Sequence, residues 1–177
     1  KFAGEMFIRE HVPHHLVCRA GWMMGGGPAK DKKFVKKIMD QLHNGATELY
    51  VVNDRFGSPT YTRDFAKNVA CLVERRLWGT YNMACEGLTS RLDVALAIVS
   101  NLGLSDYVRI QAVSSEHFQR EYFAERPYSE SLINAKLNLL RLNHMRHWTV
   151  ALKEYLDIYL SCPFFKEKWL DDSGQCG

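Results

Sequence analysis

Cysteines that could pair are what this chain most clearly lacks. Cys18, Cys71, Cys85, Cys162 and Cys176 are odd in number and widely spaced, and no C-x-x-C pair occurs among them. That excludes a zinc ribbon and a thioredoxin-type redox pair, and it suits buried thiols in a reducing cytoplasm. No apolar run approaches the length of a membrane span, and nothing near Lys1 resembles a signal peptide. Charge of one sign is scarce as well. The formal net charge is only +3, and its densest cluster, Lys30, Lys32, Lys33, Lys36 and Lys37, comes without any nucleic-acid reader motif. His11, His14 and His15 have no carboxylate or thiol at ligand spacing and straddle Pro13, so no metal site is expected. A G-x-S-x-G nucleophile elbow is also missing. Gly25-Gly26-Gly27-Pro28 follows neither G-x-G-x-x-G nor the P-loop pattern, and it reads as a loop.

What is present is ordinary globular material: 46% hydrophobic and 24% charged residues in a chain of 177, enough for one domain with a core. Lys1-Phe2-Ala3-Gly4-Glu5 reads as the inside of a helix with no capping residue before it, so the chain is expected to be the later part of a longer one. Strand candidates then alternate with helix candidates. His14 to Met23 is an apolar strand. Asp31 is placed to cap a helix in which Phe34, Ile38 and Leu42 recur at helical spacing. Glu48 to Asn53 is a second strand, Thr62 is placed to cap a helix running to Arg76 with Phe65, Val69 and Leu72 on one face, and Thr80 to Cys85 is a third strand. Ser90 and Asp93 fit a capping box for a helix ending at Asn101-Leu102-Gly103, and Val108 to Val113 is a fourth strand. Further on, Ser131 to Leu142 reads as a helix, and Thr149 to Leu160 as another that buries Trp148, Leu152, Tyr155 and Leu156. The alternation argues an α/β fold with a largely parallel sheet. Residues 161–177 form a tail without a clear period.

Four ordered stretches carry a resemblance: KFAGE at Lys1, RAGWMMGGG from Arg19, DRFGSPTYTRDFA from Asp54, and ERPYSESLINAKL followed by MRHWTVALKEYL. Together they resemble the dTDP-4-dehydrorhamnose reductase family of extended short-chain dehydrogenases, over nearly all of the chain to about Leu160. The resemblance implies that residues 1–160 are the C-terminal half of a nucleotide-sugar reductase: the end of a Rossmann-type parallel sheet interleaved with a smaller substrate-binding lobe. It implies NADPH or NADH as cofactor, a nucleotide sugar as partner, a cytoplasmic setting and the possibility of a homodimer. Epimerases and a non-catalytic regulatory subunit of methionine adenosyltransferase belong to the same wider family, so fold alone does not fix activity.

In the family, KFAGE follows a tyrosine as Tyr-x-x-x-Lys. By resemblance Lys1 is that lysine, catalytic and in contact with the nicotinamide ribose. The tyrosine would lie four residues earlier, with the Gly-rich dinucleotide turn further upstream. From the residues alone, Lys1 is simply a solvated helix lysine. The R-x-x-W pattern falls on Arg19 and Trp22, which places the Arg19-Ala20 backbone near the cofactor and Trp22 against the deoxysugar; the alternatives are a surface-paired arginine and a core tryptophan. Pro59 and Thr60 resemble a substrate-side loop. Arg126 resembles a partner for the diphosphate, since a planar guanidinium suits phosphate oxygens, or it is a surface arginine before a turn proline.

Overall fold

Parallel strands need long crossovers, and helices of ten or more residues supply them between the apolar runs of this chain. The computed structural model describes residues 1–118 and 127–161. Along it lie α1 (Phe2–His11), β1 (Leu16–Ala20), β2 (Trp22–Met24), α2 (Gly27–Lys30), α3 (Phe34–His43), β3 (Glu48–Val52), β4 (Phe56–Gly57), β5 (Pro59–Tyr61), α4 (Thr62–Glu74) and β6 (Gly79–Met83). After these come β7 (Thr89–Ser90), α5 (Arg91–Asn101), β8 (Arg109–Val113), β9 (Ser129–Glu130), α6 (Ala135–Leu139) and α7 (Trp148–Ser161). Strand β1 pairs with β6, β2 with β5 and β3 with β8, all in parallel. The short β4 lies between β7, antiparallel to it, and β9, parallel to it. The expected α/β class with parallel pairing is therefore present.

Helix positions follow the apolar spacing. Val35, Ile38, Met39 and Leu42 of α3, Val94, Ala95, Ile98 and Val99 of α5, and Ala151, Leu152, Tyr155, Leu156 and Tyr159 of α7 are buried in one core with Leu49 and Val51 of β3. Each fully buried leucine or isoleucine there contributes roughly 1.5–3 kcal/mol relative to exposure. The capping box at α5 forms as its spacing predicts: Ser90 Oγ accepts from the Asp93 N–H at 3.1 Å, and Asp93 Oδ2 accepts from the Ser90 N–H at 2.8 Å.

Three sequence expectations need correction. The strand expected over His14 to Met23 breaks at Gly21 and changes partner there. The Gly21 N–H donates to Thr60 Oγ1 at 2.8 Å, and a Cβ at Gly21 would overlap the Ser58 carbonyl, so only glycine permits the approach. Asp31 does not N-cap α3, a position that Lys33 takes; it is 3% exposed, and its Oδ2 accepts from the hydroxyls of Tyr155 at 2.8 Å and Tyr159 at 3.2 Å. The helix expected over Ser131 to Leu142 shrinks to α6. Asn134, the residue before α6, is instead tied across the fold, its amide accepting from the Ala84 N–H at 3.0 Å and donating to the Ala84 carbonyl at 2.7 Å, as a neighbouring strand would. Arg126 and the tail after Ser161 lie outside the described residues.

Helix α4 also buries polar groups as deeply as Leu72, the innermost residue of its apolar stripe. Asp64 and Asn68 are each 1% exposed, while Phe65 and Val69 are half-buried. Arg146 supplies the reason, since its Nε and Nη2 donate to the two Asp64 oxygens at 2.9 and 2.8 Å. Its remaining Nη1 reaches Glu154 on α7 at 2.6 Å, and Arg63 reaches the other Glu154 oxygen at 2.8 Å. This network fastens the segment before α7 onto α4. Hydrogen bonds from Arg146 and Arg63 hold the Glu154 carboxyl below its ordinary range, and Asp64 and Glu154 push the Arg146 guanidinium further up.

Candidate functional site

Open α/β sheets bind ligands beyond the carboxyl ends of their strands; Arg19 and Ala20 close β1 at its carboxyl end, while Trp22 and Pro59 open β2 and β5, paired with each other in the chain just beyond it. Lys1 stands at the N-terminus of α1, exposed, and its ammonium engages no partner among the described residues. Glu5, one helical turn on and on the same face, takes a forked contact from Arg19: Nε at 3.0 Å and Nη2 at 2.6 Å to Oε2. That bridge ties the first turn of α1 to the end of β1, which brings the helix face carrying Lys1 to the strand end at Ala20. The hydrogen bond from Arg19 lowers the Glu5 pKa, and the Arg19 value rises in turn.

Trp22 is half-buried and fixed on three sides. Its indole N–H donates to Glu130 Oε2 at 2.7 Å. A Cβ at Gly57 would overlap its six-membered ring, so the Gly57 backbone lies directly against the indole. The Arg91 guanidinium stacks over the ring at 3.9 Å from the centroid, a cation–π contact, and also stands 4.9 Å from the Phe34 ring. The space against Gly57 leaves no room for a guanidinium on that side, so the two take opposite faces. Trp22 is thus no buried core tryptophan, and what it has to present to a ligand is ring edge rather than ring face.

Pro59 and Thr60 are buried. Thr60 is 0% exposed, and its hydroxyl accepts from the Gly21 N–H while facing the Met83 carbonyl at 3.4 Å. This pair fixes the junction between β1 and β2 from behind. Glu130 and Arg91 escaped the sequence reading because no spacing announces them: Glu130 lies 108 residues from Trp22 in the chain. His11, His14 and His15 form no metal cluster, and no group of ligands suited to a metal ion occurs among the described residues.

A nicotinamide cofactor would fit these residues at one end only. The exposed Lys1 ammonium and the strand end at Ala20 suit its ribose and ring. The glycine run does not suit its diphosphate, because Gly25 packs against Thr62 and the run leads into the four-residue α2 instead of a full helix. Among the described residues no helix is long and apolar enough to cross a membrane.

Residues 1–161 match the RmlD substrate binding domain. The chain belongs to this RmlD family. The dTDP-4-dehydrorhamnose reductase of Mycobacterium tuberculosis is 35% identical over 153 residues, which are 86% of this chain and 48% of that protein. A crystal structure of the Yersinia enterocolitica dTDP-4-dehydrorhamnose reductase superposes with a TM-score of 0.83 at 36% identity, covering 90% of this chain and 55% of that one. The Bacillus anthracis dTDP-4-dehydrorhamnose reductase, crystallised in complex with NADP, gives 0.77 at 29% identity over 89% of this chain and 52% of its own. The chain therefore spans about half the length of these RmlD-family relatives.

Proposed function

We propose that this chain is the substrate-side half of an NAD(P)H-dependent reductase acting on the 4-keto group of a dTDP-6-deoxyhexose, working in the cytoplasm. The observation that carries the reading is the Arg19–Glu5 bridge, which sets the turn bearing Lys1 beside the carboxyl end of β1 in a chain of the RmlD family. The nicotinamide, when bound, supplies the hydride for the C4 carbon. The carbonyl oxygen then needs a proton from an acid within hydrogen-bond reach.

In the Tyr-x-x-x-Lys pattern that acid is a tyrosine one helical turn before Lys1. A phenol titrates near pH 10, and an ammonium on the same helix face favours the phenolate and draws that value toward neutrality. Lys1 thus tunes the acid and holds the cofactor ribose. Arg19 keeps Lys1 in place through Glu5, and the Arg19-Ala20 backbone borders the nicotinamide. The free edge of Trp22 borders the deoxysugar, Pro59 and Thr60 form the wall behind it, and Arg126 offers its fork to the diphosphate. Steady-state reduction of the keto sugar by the complete protein tests this. Lys1→Ala should lower kcat by at least about a hundredfold, the lower range for disabled acid–base catalysis. Near-normal turnover would remove Lys1 from the mechanism and favour the second reading, a binding or regulatory module on the same fold.

A further inference from the structure

Between the Gly57 backbone and the Arg91 guanidinium, the Trp22 indole lies in a slot that fixes the plane of its ring. Such a slot does not fix which way round the ring lies, because the torsion that turns an aromatic ring about its stem is broad and close to two-fold. Half a rotation keeps the plane and exchanges the N–H side of the indole with its six-membered side. We infer that Glu130 makes the choice between them: it is a positioning residue that holds the indole N–H and thereby sets which edge of Trp22 is left for the ligand. The inference rests on the reading above for the deoxysugar at that free edge, but not for the hold on the indole.

The first argument is the bond itself. The distance from Nε1 to Oε2 is 2.7 Å, the indole has no second donor, and a carboxylate acceptor makes the bond one of the stronger kinds. Among the described residues the half-buried Glu130 carboxylate joins no other hydrogen bond or ion pair. It serves the indole alone.

The second argument is how the slot is assembled. Gly57 of β4 stands opposite Glu130 on one side and opposite Thr89 on the other. Ser90, next to Thr89, caps α5, and Arg91 is the first residue of that helix. One three-stranded sheet, β7-β4-β9, therefore delivers the wall, the acceptor and the cation around a single ring. A bond that only fastened β9 to β2 would matter for stability and leave ligand preference alone.

Steady-state reduction of the keto sugar by the complete protein tests the assignment. Glu130→Ala should raise the KM for the keto sugar about tenfold, as for one lost hydrogen bond to a charged group, and leave the KM for NADPH unchanged. Glu130→Gln should stay near wild type, since its amide oxygen still accepts from the indole N–H. In a Trp22→Phe background, which has no N–H, Glu130→Ala should add nothing further. A tenfold loss that persists in that background would overturn the inference. So would a wild-type KM in Glu130→Ala, or a glutamine variant as impaired as the alanine one, because the charge would then act on the ligand directly. A second measurement does not depend on turnover. The indole proton resonance of Trp22, identified by its loss in Trp22→Phe, should lie downfield and exchange slowly with water in wild type and Glu130→Gln, and should move upfield and exchange faster in Glu130→Ala. An unmoved resonance overturns the inference whatever the activity. A resonance that moves, in a protein that does not reduce the keto sugar, upholds the role of Glu130 in orienting Trp22 and removes the reductase reading.

Discussion

Two arginine–carboxylate forks in this molecule use the same donors, Nε and Nη2, and differ in their surroundings. Arg19 grips Glu5 at the sheet end with side chains 44% and 21% exposed; Arg146 grips Asp64 against α4 with side chains 34% and 1% exposed. The first bridge lies in water, where attraction is screened and the side chains lose entropy, so its value is placement rather than stability. The second leaves a carboxylate sealed from solvent, where losing the arginine would strand a buried charge. One fork orients a candidate catalytic turn, and the other keeps the last helix on the body.

Substitutions at both forks can break that contrast. The largest effect is expected from Arg146→Ala, which should cost about 3 kcal/mol in urea unfolding of the complete protein, the low end for breaking a buried pair because Arg146 itself is a third exposed. A loss below about 0.5 kcal/mol would mean that burial of Asp64 is not what separates the two sites. A smaller effect concerns acid. Bonds from Arg146 and Arg63 depress the folded pKa of Glu154, so it contributes stability above its unfolded value near 4.3, and that contribution fades as pH falls through the lower folded value. The unfolding midpoint of wild type should thus drop more steeply below about pH 4.3 than that of Glu154→Gln, and parallel curves would dismiss the network as a pH-sensitive element. Smallest of all, Arg19→Ala should leave the unfolding midpoint where it was while lowering kcat; a clear loss of stability would make this fork a structural pair like the other.

How far these features could be read beforehand depends on the distance over which their cause acts. The stripe of α3, the capping box at Ser90 and the burial of Trp148, Leu152, Tyr155 and Leu156 were legible because spacing within one helix sets them. The break at Gly21 was not, since it depends on the Ser58 carbonyl and the Thr60 hydroxyl arriving from β5. Asp31 was misread as a cap because its partners stand on α7, and residues 131–134 as helical because Asn134 finds Ala84 across the fold. At the candidate site, KFAGE and R-x-x-W pointed to Lys1, Arg19 and Trp22. They could not reveal that Arg19 is occupied by Glu5 or that Gly57 and Arg91 enclose the indole.

The bond between Asp31 and α7 bears on how the chain is made. A ribosome releases Asp31 long before Tyr155 and Tyr159, which follow it by 124 and 128 residues. Until those hydroxyls emerge, the Asp31 carboxylate has only water and its own loop to bond with, and nothing presses it inward. The lysines on either side then stay tethered to an unanchored turn. That loop is synthesised long before α7 and is set only once α7 arrives, so a polypeptide cut short before Tyr155 would carry the loop without the bonds that hold Asp31 in place.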